Sequence, residues 1–429
     1  MVKEQKRGAM LSRRGVAAGL GSLMAAPVMP RRAFAASGEL RIGALYPLSG
    51  SLSVLGTEAL AGARVAVEMV NEAGGVGGQK VVLVEADATT PANATNEARR
   101  LITREDLKLL VGTYGSSISL AIAGAANQFK IPYFEGAAVA DDLTQRGYRY
   151  VFRLNDNAAA MAKTQAQAVQ EIFAPKIGRP MKDLRIAIIH EDSAFGSSIS
   201  TDFIAQLKQA GVTPVAEEPY AASTQDLSSL VLRLKELKPD VLAVTQYFND
   251  AVLFWRQARN ADYNPGYFIS IGAGQASPDY RRGVGKDGDG VLLADVPSAG
   301  VKPEALVPEA AATQRQFVAR YKAKMGKDPA SHATRHFSSM SVLLTKILPK
   351  AGSLDPEKIR EVTMSLDEPV GSTILGFGIK FGDDGQNTRA FNVVLQWQNG
   401  QLVTVWPERF ATAAPIMVPL PNWADRGPA

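Results

Sequence analysis

The sequence contains no cysteine, and only three of its 429 residues are histidines. The lack of cysteine excludes disulfide bonds, thiolate metal sites, iron–sulfur clusters, a cysteine nucleophile and a lipid-modified cysteine. With only His190, His332 and His336, a histidine-rich metal centre is not expected. The G-x-x-x-x-G-K-[ST] loop of nucleotide-binding proteins and the G-x-S-x-G elbow of hydrolases are also missing. The sequence therefore predicts no cofactor and gives little support to an enzyme.

Most of the chain also lacks an excess of charge. The net charge is +5, but residues 1–35 alone carry seven basic residues and one acidic residue. The other residues comprise 40 basic and 41 acidic side chains. Because a nucleic-acid-binding domain usually has a basic face, we do not expect a nucleic-acid partner.

Residues 1–35 have the pattern of a cleaved export signal. A basic segment is followed by the apolar stretch 15–29 and by Ala33-Phe34-Ala35, which matches an A-x-A cleavage site. Arg13 and Arg14 precede the apolar stretch, as in twin-arginine signals; a general secretory signal with a chance arginine pair is the alternative. No later apolar run reaches 18 residues, so we expect an exported, periplasmic protein without a membrane anchor.

From residue 40 to residue 271 the chain alternates short apolar runs with helical patterns. This alternation is typical of βαβ units and parallel sheets. It restarts after residue 156, which predicts an α/β fold of two doubly wound parallel-sheet lobes. The predicted strands are 40–46, 81–84, 109–112, 131–134, 185–189, 212–217, 241–245 and 267–271. The predicted helices between them are 59–70, 92–103, 118–129, 158–173, 197–210, 227–237 and 250–259.

The C-terminal third is less regular. Helices are predicted over 317–324, 337–348 and 356–364. Residues 391–406 predict a β-hairpin, because Asn399-Gly400 suits the two positive-φ positions of a type I′ turn.

Histidines offer two weak signals of chemistry. His332 and His336 are four residues apart, which is the spacing of paired zinc ligands on a helix, but buried structural histidines are the favoured interpretation. Asp328, before Pro329, is interpreted as the N-cap of their helix. His190 ends a strand next to two acidic residues and could act as an acid or base.

Candidate ligand-binding residues follow the predicted strands, where open α/β sheets bind ligands. After 109–112 come Tyr114, Ser116 and Ser117, and a helix start with its free amides would suit a carboxylate; N-capping alone is the alternative. The small residues after 131–134 would admit a ligand to the backbone or simply form a tight loop. The aromatic side chains after 185–189 and 241–245 would cover a ligand or pack in a core. The small residues are Gly136, Ala137 and Ala138, and the aromatic residues are Phe195 and Tyr247.

Several stretches carry a family resemblance. They include Ile42-Gly-Ala-Leu-Tyr-Pro-Leu-Ser-Gly50, Val70-Asn-Glu-Ala-Gly-Gly75, Leu143-Thr-Gln-Arg-Gly-Tyr148 and Arg185-Ile-Ala-Ile-Ile-His190. In their order and spacing, over nearly the whole chain after residue 35, they resemble the leucine/isoleucine/valine-binding proteins of bacterial ABC importers, which have the type I periplasmic-binding-protein fold.

The resemblance implies two lobes joined by a three-stranded hinge. The first lobe would comprise 36–156 and 297–385, and the second 157–296 and 386–429. Ser116 would hold a ligand carboxylate, helped by backbone groups of Gly136, Ala137 and Ala138. Phe195 and Tyr247 would cover the ligand from the second lobe.

One position departs from the family pattern. Leucine-type binders have a glutamate that pairs with the ligand ammonium where this chain has Gly272. A buried ammonium without an acid is costly. Either Glu135, Asp156 or Glu191 replaces the glutamate, or the ligand has no ammonium group. Amino acids, amides and small organic or aromatic acids therefore all stay open.

These features together predict a monomeric solute-binding protein that carries its ligand unchanged to an ABC permease. A ligand-sensing subunit of a signalling system is one alternative, and a hydrolase that uses His190 is another.

Overall fold

The computed structural model describes residues 38–426. The predicted export signal, residues 1–35, lies outside the described residues, as do residues 427–429. Among residues 38–426, no helix combines the length and the apolar character needed to cross a membrane.

The first lobe is built on a sheet of five parallel strands. These are β1 (Glu39–Tyr46), β2 (Lys80–Asp87), β3 (Leu110–Gly112), β4 (Tyr133–Glu135) and β5 (Val151–Arg153), in the order β2-β1-β3-β4-β5. The helices along this part of the chain are α1 (Ser53–Glu72), α2 (Pro91–Thr103), α3 (Ser116–Gln128) and α4 (Asp142–Gln145). Strand β1 is apolar from Ile42 to Tyr46 because Ile42 and Tyr46 pack in one core while Leu45 packs in another on the opposite face.

The second lobe is built on a sheet of seven strands. Its parallel strands are β6 (Ile186–Glu191), β7 (Ala216–Tyr220), β8 (Val241–Thr245), β9 (Phe268–Ile271) and β10 (Leu292–Asp295). The helices here are α5 (Ala158–Ala168), α6 (Ala174–Ile177), α7 (Ala194–Gln209), α8 (Ser228–Leu237), α9 (Phe248–Asn260) and α10 (Pro278–Val284).

After β10 the chain forms α11 (Pro308–Met325), α12 (Ser331–Val342), α13 (Leu348–Ala351) and α14 (Pro356–Ser365). Helix α12 packs against α1 so closely that a Cβ at Gly62 would lie 2.0 Å from the Ala333 carbonyl oxygen. A separate small ladder pairs β11 (Asp367–Glu368) with β12 (Ile379–Lys380). The chain then adds β13 (Val393–Gln398) and β14 (Gln401–Trp406) to the second sheet, in the order β14-β13-β10-β9-β8-β6-β7.

The connections between the two sheets lie side by side. The Arg153 amide donates to the Gly385 carbonyl at 2.9 Å, and the Gln386 side chain donates to the Asn155 carbonyl at 2.7 Å. The segment that follows β5 is thus bonded to the segment that leads into β13.

The predicted two-lobe α/β fold is confirmed, with three corrections. The second sheet is mixed because the C-terminal hairpin adds two antiparallel strands. Strand β7 begins at Ala216 and forms one edge of the sheet, so the predicted strand start at residue 212 is wrong. Strands β5 and β10 were not predicted. The hairpin turn is confirmed, with φ of 51° at Asn399 and 77° at Gly400.

Candidate functional site

The two lobes meet along an apolar cluster formed by residues from both. Four of the predicted site residues, Tyr114, Ala137, Phe195 and Tyr247, belong to this interlobe cluster. Its other members are Leu55, Val139, Ala158, Met161, Ile199, Ile271, Ala273 and Ala294. The structure therefore brings together residues that are up to 239 positions apart in the chain.

Aromatic rings form the centre of this cluster. The Phe195 and Tyr247 ring centroids are 5.0 Å apart, and Tyr114 lies edge-on to Tyr247 at 5.9 Å. The imidazole of His332 packs edge-on against Tyr114 at 4.9 Å. Phe195 and Tyr247 are both buried. The lobes are thus closed on each other through aromatic contacts.

The two serines at the start of α3 do not cap it, and the prediction of N-capping is wrong. Gly115 occupies the N-cap position, and no side chain caps the helix. Ser116 Oγ accepts from the Ala140 amide at 3.2 Å, within the first lobe. Ser117 Oγ accepts from the Ala194 amide at 3.2 Å, across the cleft. Both hydroxyls are therefore free of capping and face groups that line the cleft.

The loop after β4 is held from within the first lobe. Glu135 Oε1 accepts from the Ala137 amide at 2.7 Å and from the Ala138 amide. A Cβ at Gly136 would lie 1.8 Å from Cε1 of His336, so only glycine fits against that ring. In this closed state the Ala137 and Ala138 amides bind a carboxylate of the protein itself.

The three acids considered as ammonium partners all have protein partners. Burial raises the pKa of Glu135 to about 8, although the amide bonds and Arg153 oppose that rise. Asp156 bonds to Arg335 through both of its oxygens. Glu191 accepts from the Ser193 side chain at 2.8 Å and from the Gly196 amide at 2.6 Å.

A fourth acid, which the sequence analysis missed, lies directly at Gly272. A Cβ on Gly272 would be 2.6 to 2.8 Å from the carboxylate atoms of Asp295, at the end of the neighbouring strand β10. Asp295 Oδ1 accepts from Arg335 at 2.6 Å and from the Val296 amide at 2.7 Å. Arg335 on α12 thus joins Asp295 to Asp156 in a fully buried triad.

The histidines of α12 are buried, as predicted. His336 Nδ1 lies 3.1 Å from the Tyr46 hydroxyl, and burial lowers the pKa of both His332 and His336, that of His336 to about 3. Both rings are neutral at pH 7. Asp328 is not the N-cap, because α12 begins at Ser331 after Ala330. Among residues 38–426 no group of three or more His, Asp or Glu side chains is arranged to hold a metal ion.

Both ring nitrogens of His190 lie near oxygen atoms of strand residues. Its Nδ1 lies 2.8 Å from the Glu191 carbonyl oxygen, and its Nε2 lies 3.4 Å from Glu217 Oε1. His190 does not line the interlobe cavity described below.

A cavity of about 350 Å³ opens above the closed aromatic cluster. Both lobes line it, through Ser51, Thr90 and Ser117 on one side and Ser193, Tyr247 and Asn249 on the other. A larger surface cavity of about 860 Å³ lies against α5, α6 and α7 but contains none of the predicted site residues. We therefore place the candidate site at the interlobe cavity and the cluster beneath it.

Comparisons with known proteins bear on the family and the fold. The profile of the family described as periplasmic binding protein matches residues 39–401. The Leu/Ile/Val-binding protein homolog 8 of Brucella abortus is 40% identical over 405 residues, which cover 94% of this chain and 98% of that relative. Homolog 7 of Brucella suis is 37% identical over 377 residues, covering 88% and 93%.

Solved structures share the fold. A leucine-binding protein of Thermotoga maritima aligns with a TM-score of 0.73 at 26% identity, over 86% of this chain and 98% of that one. The branched-chain amino acid binding protein of Streptococcus pneumoniae, in complex with isoleucine, aligns with a TM-score of 0.71 at 21% identity, over 86% and 100%. A solute-binding protein of Rhodopseudomonas palustris, in complex with benzoate, aligns with a TM-score of 0.73 at 20% identity, over 89% and 99%.

Proposed function

Because the chain belongs to the periplasmic binding protein family, we propose that it is the solute-binding component of an ABC importer. It holds a small carboxylate ligand, such as a branched-chain amino acid, between its lobes and releases it unchanged. The interlobe cluster of Tyr114, Phe195 and Tyr247 carries this proposal, since only closure of the two lobes assembles it.

Binding works by shifting the balance between open and closed states. Ligand first meets the start of α3 at Ser116 and Ser117 and the loop of Gly136, Ala137 and Ala138 on the first lobe. Closure then adds Phe195, Tyr247 and the chain around Gly272. The ligand stabilises the closed form only through these additional contacts.

The finer parts of the proposal concern lobes, location and partners. The first lobe comprises 36–156 and 297–385, and the second 157–296 and 386–429. The packing of α12 on α1 and the pairing of β13 with β10 support this division. The protein acts as a monomer in the periplasm, after twin-arginine export, and delivers its ligand to a membrane permease.

Mass spectrometry of ligand released from the purified protein tests the function directly. We expect an unmodified small carboxylate, and we expect X-ray scattering to show a more compact molecule when that ligand is added back. Conversion of the ligand on incubation, or identical scattering with and without it, would contradict the proposal.

A further inference from the structure

A second cavity lies between the helices that pack on α1. It has a volume of about 350 Å³ and is lined by α1, α11, α12 and the loop that follows β11. In the described part of the chain, it shares no lining residue with the interlobe cavity and contains no member of the interlobe aromatic cluster. This first-lobe cavity is therefore a separate space from the candidate site in the cleft.

The walls of the first-lobe cavity are fixed by contacts between its helices. Phe317 of α11 and Phe337 of α12 stack with their ring centroids 4.2 Å apart. Arg320 of α11 donates to both carboxylate oxygens of Glu72 on α1, at 2.9 and 2.8 Å. The close approach of α12 to α1 at Gly62 joins the third pair of helices. Each helix is thus held to the other two, and the cavity is preformed, as ligand pockets usually are.

The cavity exists because small side chains line all three helices. Ala66 of α1, Ala310 of α11 and Ser338 of α12 line it, and each is at most 4% exposed. Larger apolar side chains add to its walls, namely those of Met69, Val70, Val307, Phe337, Val342 and Ile374. A space of this size with largely apolar walls suits the apolar body of a small molecule.

One hydroxyl at this cavity is buried without a partner. Ser338 Oγ has no hydrogen-bond partner in the described part of the chain. The hydroxyls of Thr345 and Ser372, which also line the cavity, each donate to a backbone carbonyl oxygen at 2.7 Å. Because a buried polar group without a hydrogen bond is costly, Ser338 favours a molecule that brings a polar group to it.

The charged groups at the cavity favour a neutral molecule. Lys346 donates to Glu368 at 3.1 Å, so these two charges balance each other. The other charged lining residue, Glu309, is exposed. A charged molecule would lose its water on entering the cavity and would find no opposite charge that is free to pair with it.

We propose that the first-lobe cavity is a second binding site, for a small neutral molecule with an apolar body and one hydrogen-bonding group that pairs with Ser338. Phenols and similar alcohols meet these conditions. The site goes beyond the proposed transport function, because it lies within α1 and the helices packed on it and does not need closure of the cleft. Mass spectrometry and scattering decide the transport function separately.

A matched pair of probes tests the chemical class on the unaltered protein. 4-Methylphenol and toluene differ only by one hydroxyl, and ligand-observed NMR titration measures both affinities. We expect 4-methylphenol to bind about three- to tenfold more tightly than toluene, the range that one neutral hydrogen bond supplies. Absence of 4-methylphenol binding up to about 10 mM would overturn the proposal, as would equal or tighter binding of toluene.

A variant that fills the cavity tests the location. Ser341→Leu adds a branched side chain to the wall formed by α12 and should weaken 4-methylphenol binding at least about tenfold. Ser229→Leu, at an exposed position on α8, is the matched control and should leave binding unchanged. Diffraction from crystals of the unaltered protein soaked in 4-methylphenol locates the probe without any variant. Binding that survives Ser341→Leu, or a probe seen only in the cleft, overturns the proposal.

Ser338→Ala tests the hydroxyl itself. It should reduce the preference for 4-methylphenol over toluene to less than about twofold. The unliganded variant should unfold at no lower temperature than the unaltered protein, because Ser338 Oγ has no protein partner to lose. Ser339→Ala is the matched control, since its hydroxyl bonds to Asn155 and does not line the cavity, and it should keep the preference. A preference retained in Ser338→Ala would contradict the role of this hydroxyl.

Discussion

The two lobes contribute different chemistry to the cleft. The first lobe presents two serine hydroxyls, Ser116, which is hydrogen-bonded within that lobe, and Ser117, which is hydrogen-bonded to the second lobe. The second lobe presents Phe195 and Tyr247, which are buried in the interlobe cluster. Because polar groups in the first lobe are already positioned, they can orient a ligand before closure. Burial of the aromatic side chains instead stabilises the closed state itself.

Two residues depart from this division. Tyr114 of the first lobe packs edge-on against Tyr247. Asp295 lies at the end of a second-lobe strand, but its partner Arg335 is on α12, which packs on the first lobe. The charged triad of Asp156, Asp295 and Arg335 therefore joins the two sides of the cleft. Its removal should have the largest effect on the free energy of unfolding.

Arg335→Met tests how much the buried triad depends on its single cation, the Arg335 guanidinium. Asp156 and Asp295 would lose their common partner, so the free energy of unfolding should fall by about 3–5 kcal/mol, as when a buried ion pair is broken. Urea denaturation measures this loss in the free energy of unfolding. Arg315→Met, at an exposed position on α11, is the control and should change stability by less than about 0.5 kcal/mol. A loss below about 1 kcal/mol in Arg335→Met would mean that the triad contributes little.

Gly136→Ala tests the close packing of the loop after β4 against α12. The added Cβ would overlap the His336 ring, so we expect a loss of about 1–3 kcal/mol in the free energy of unfolding. Gly124→Ala, within α3, meets only the Tyr148 hydroxyl at 3.8 Å and should raise stability by about 0.5–1 kcal/mol through helix propensity. Equal effects of the two substitutions would contradict the packing argument.

Ser116→Ala tests the polar contribution to ligand capture. It removes a buried hydroxyl at the start of α3, and affinity for a carboxylate ligand should fall by about 1–3 kcal/mol, the range for a charged hydrogen-bond partner. Ser229→Ala, exposed on α8, should leave affinity unchanged. Unaltered calorimetric affinity in Ser116→Ala would remove Ser116 from the site.

The smallest expected effect is a pH dependence of closure. Burial, together with the charge of Asp141 across the cleft, raises the pKa of Asp202 on α7 from 3.8 to about 7 in the closed state. The closed state therefore binds a proton that the open state releases, so closure and ligand affinity should weaken as pH rises from about 4 to about 7. Asp202→Asn should flatten this dependence, whereas Glu236→Gln on α8 should keep it. Parallel pH profiles for both variants would contradict the like-charge pair.

Sequence patterns predicted the fold better than the site. Parallel strands such as β1 and β8 are buried on both faces, and this produces continuous apolar runs that are visible without a structure. Strand β10 was missed because its four residues follow a glycine-rich loop and show no alternation. Asp295, the last residue of that strand, was therefore missed as well, although its carboxylate occupies the space beside Gly272.

The sequence alone therefore determined the alternation of strands and helices, the aromatic side chains at strand ends and the family to which the chain belongs. These depend on periodicity and local motifs, which are properties of neighbouring residues. Only the tertiary structure decided that Asp295 lies under Gly272 and that Arg335 joins it to Asp156. Those partners are 40 and 179 positions from Arg335, and what brings them together is the order of strands in the sheet and the packing of α12 on α1.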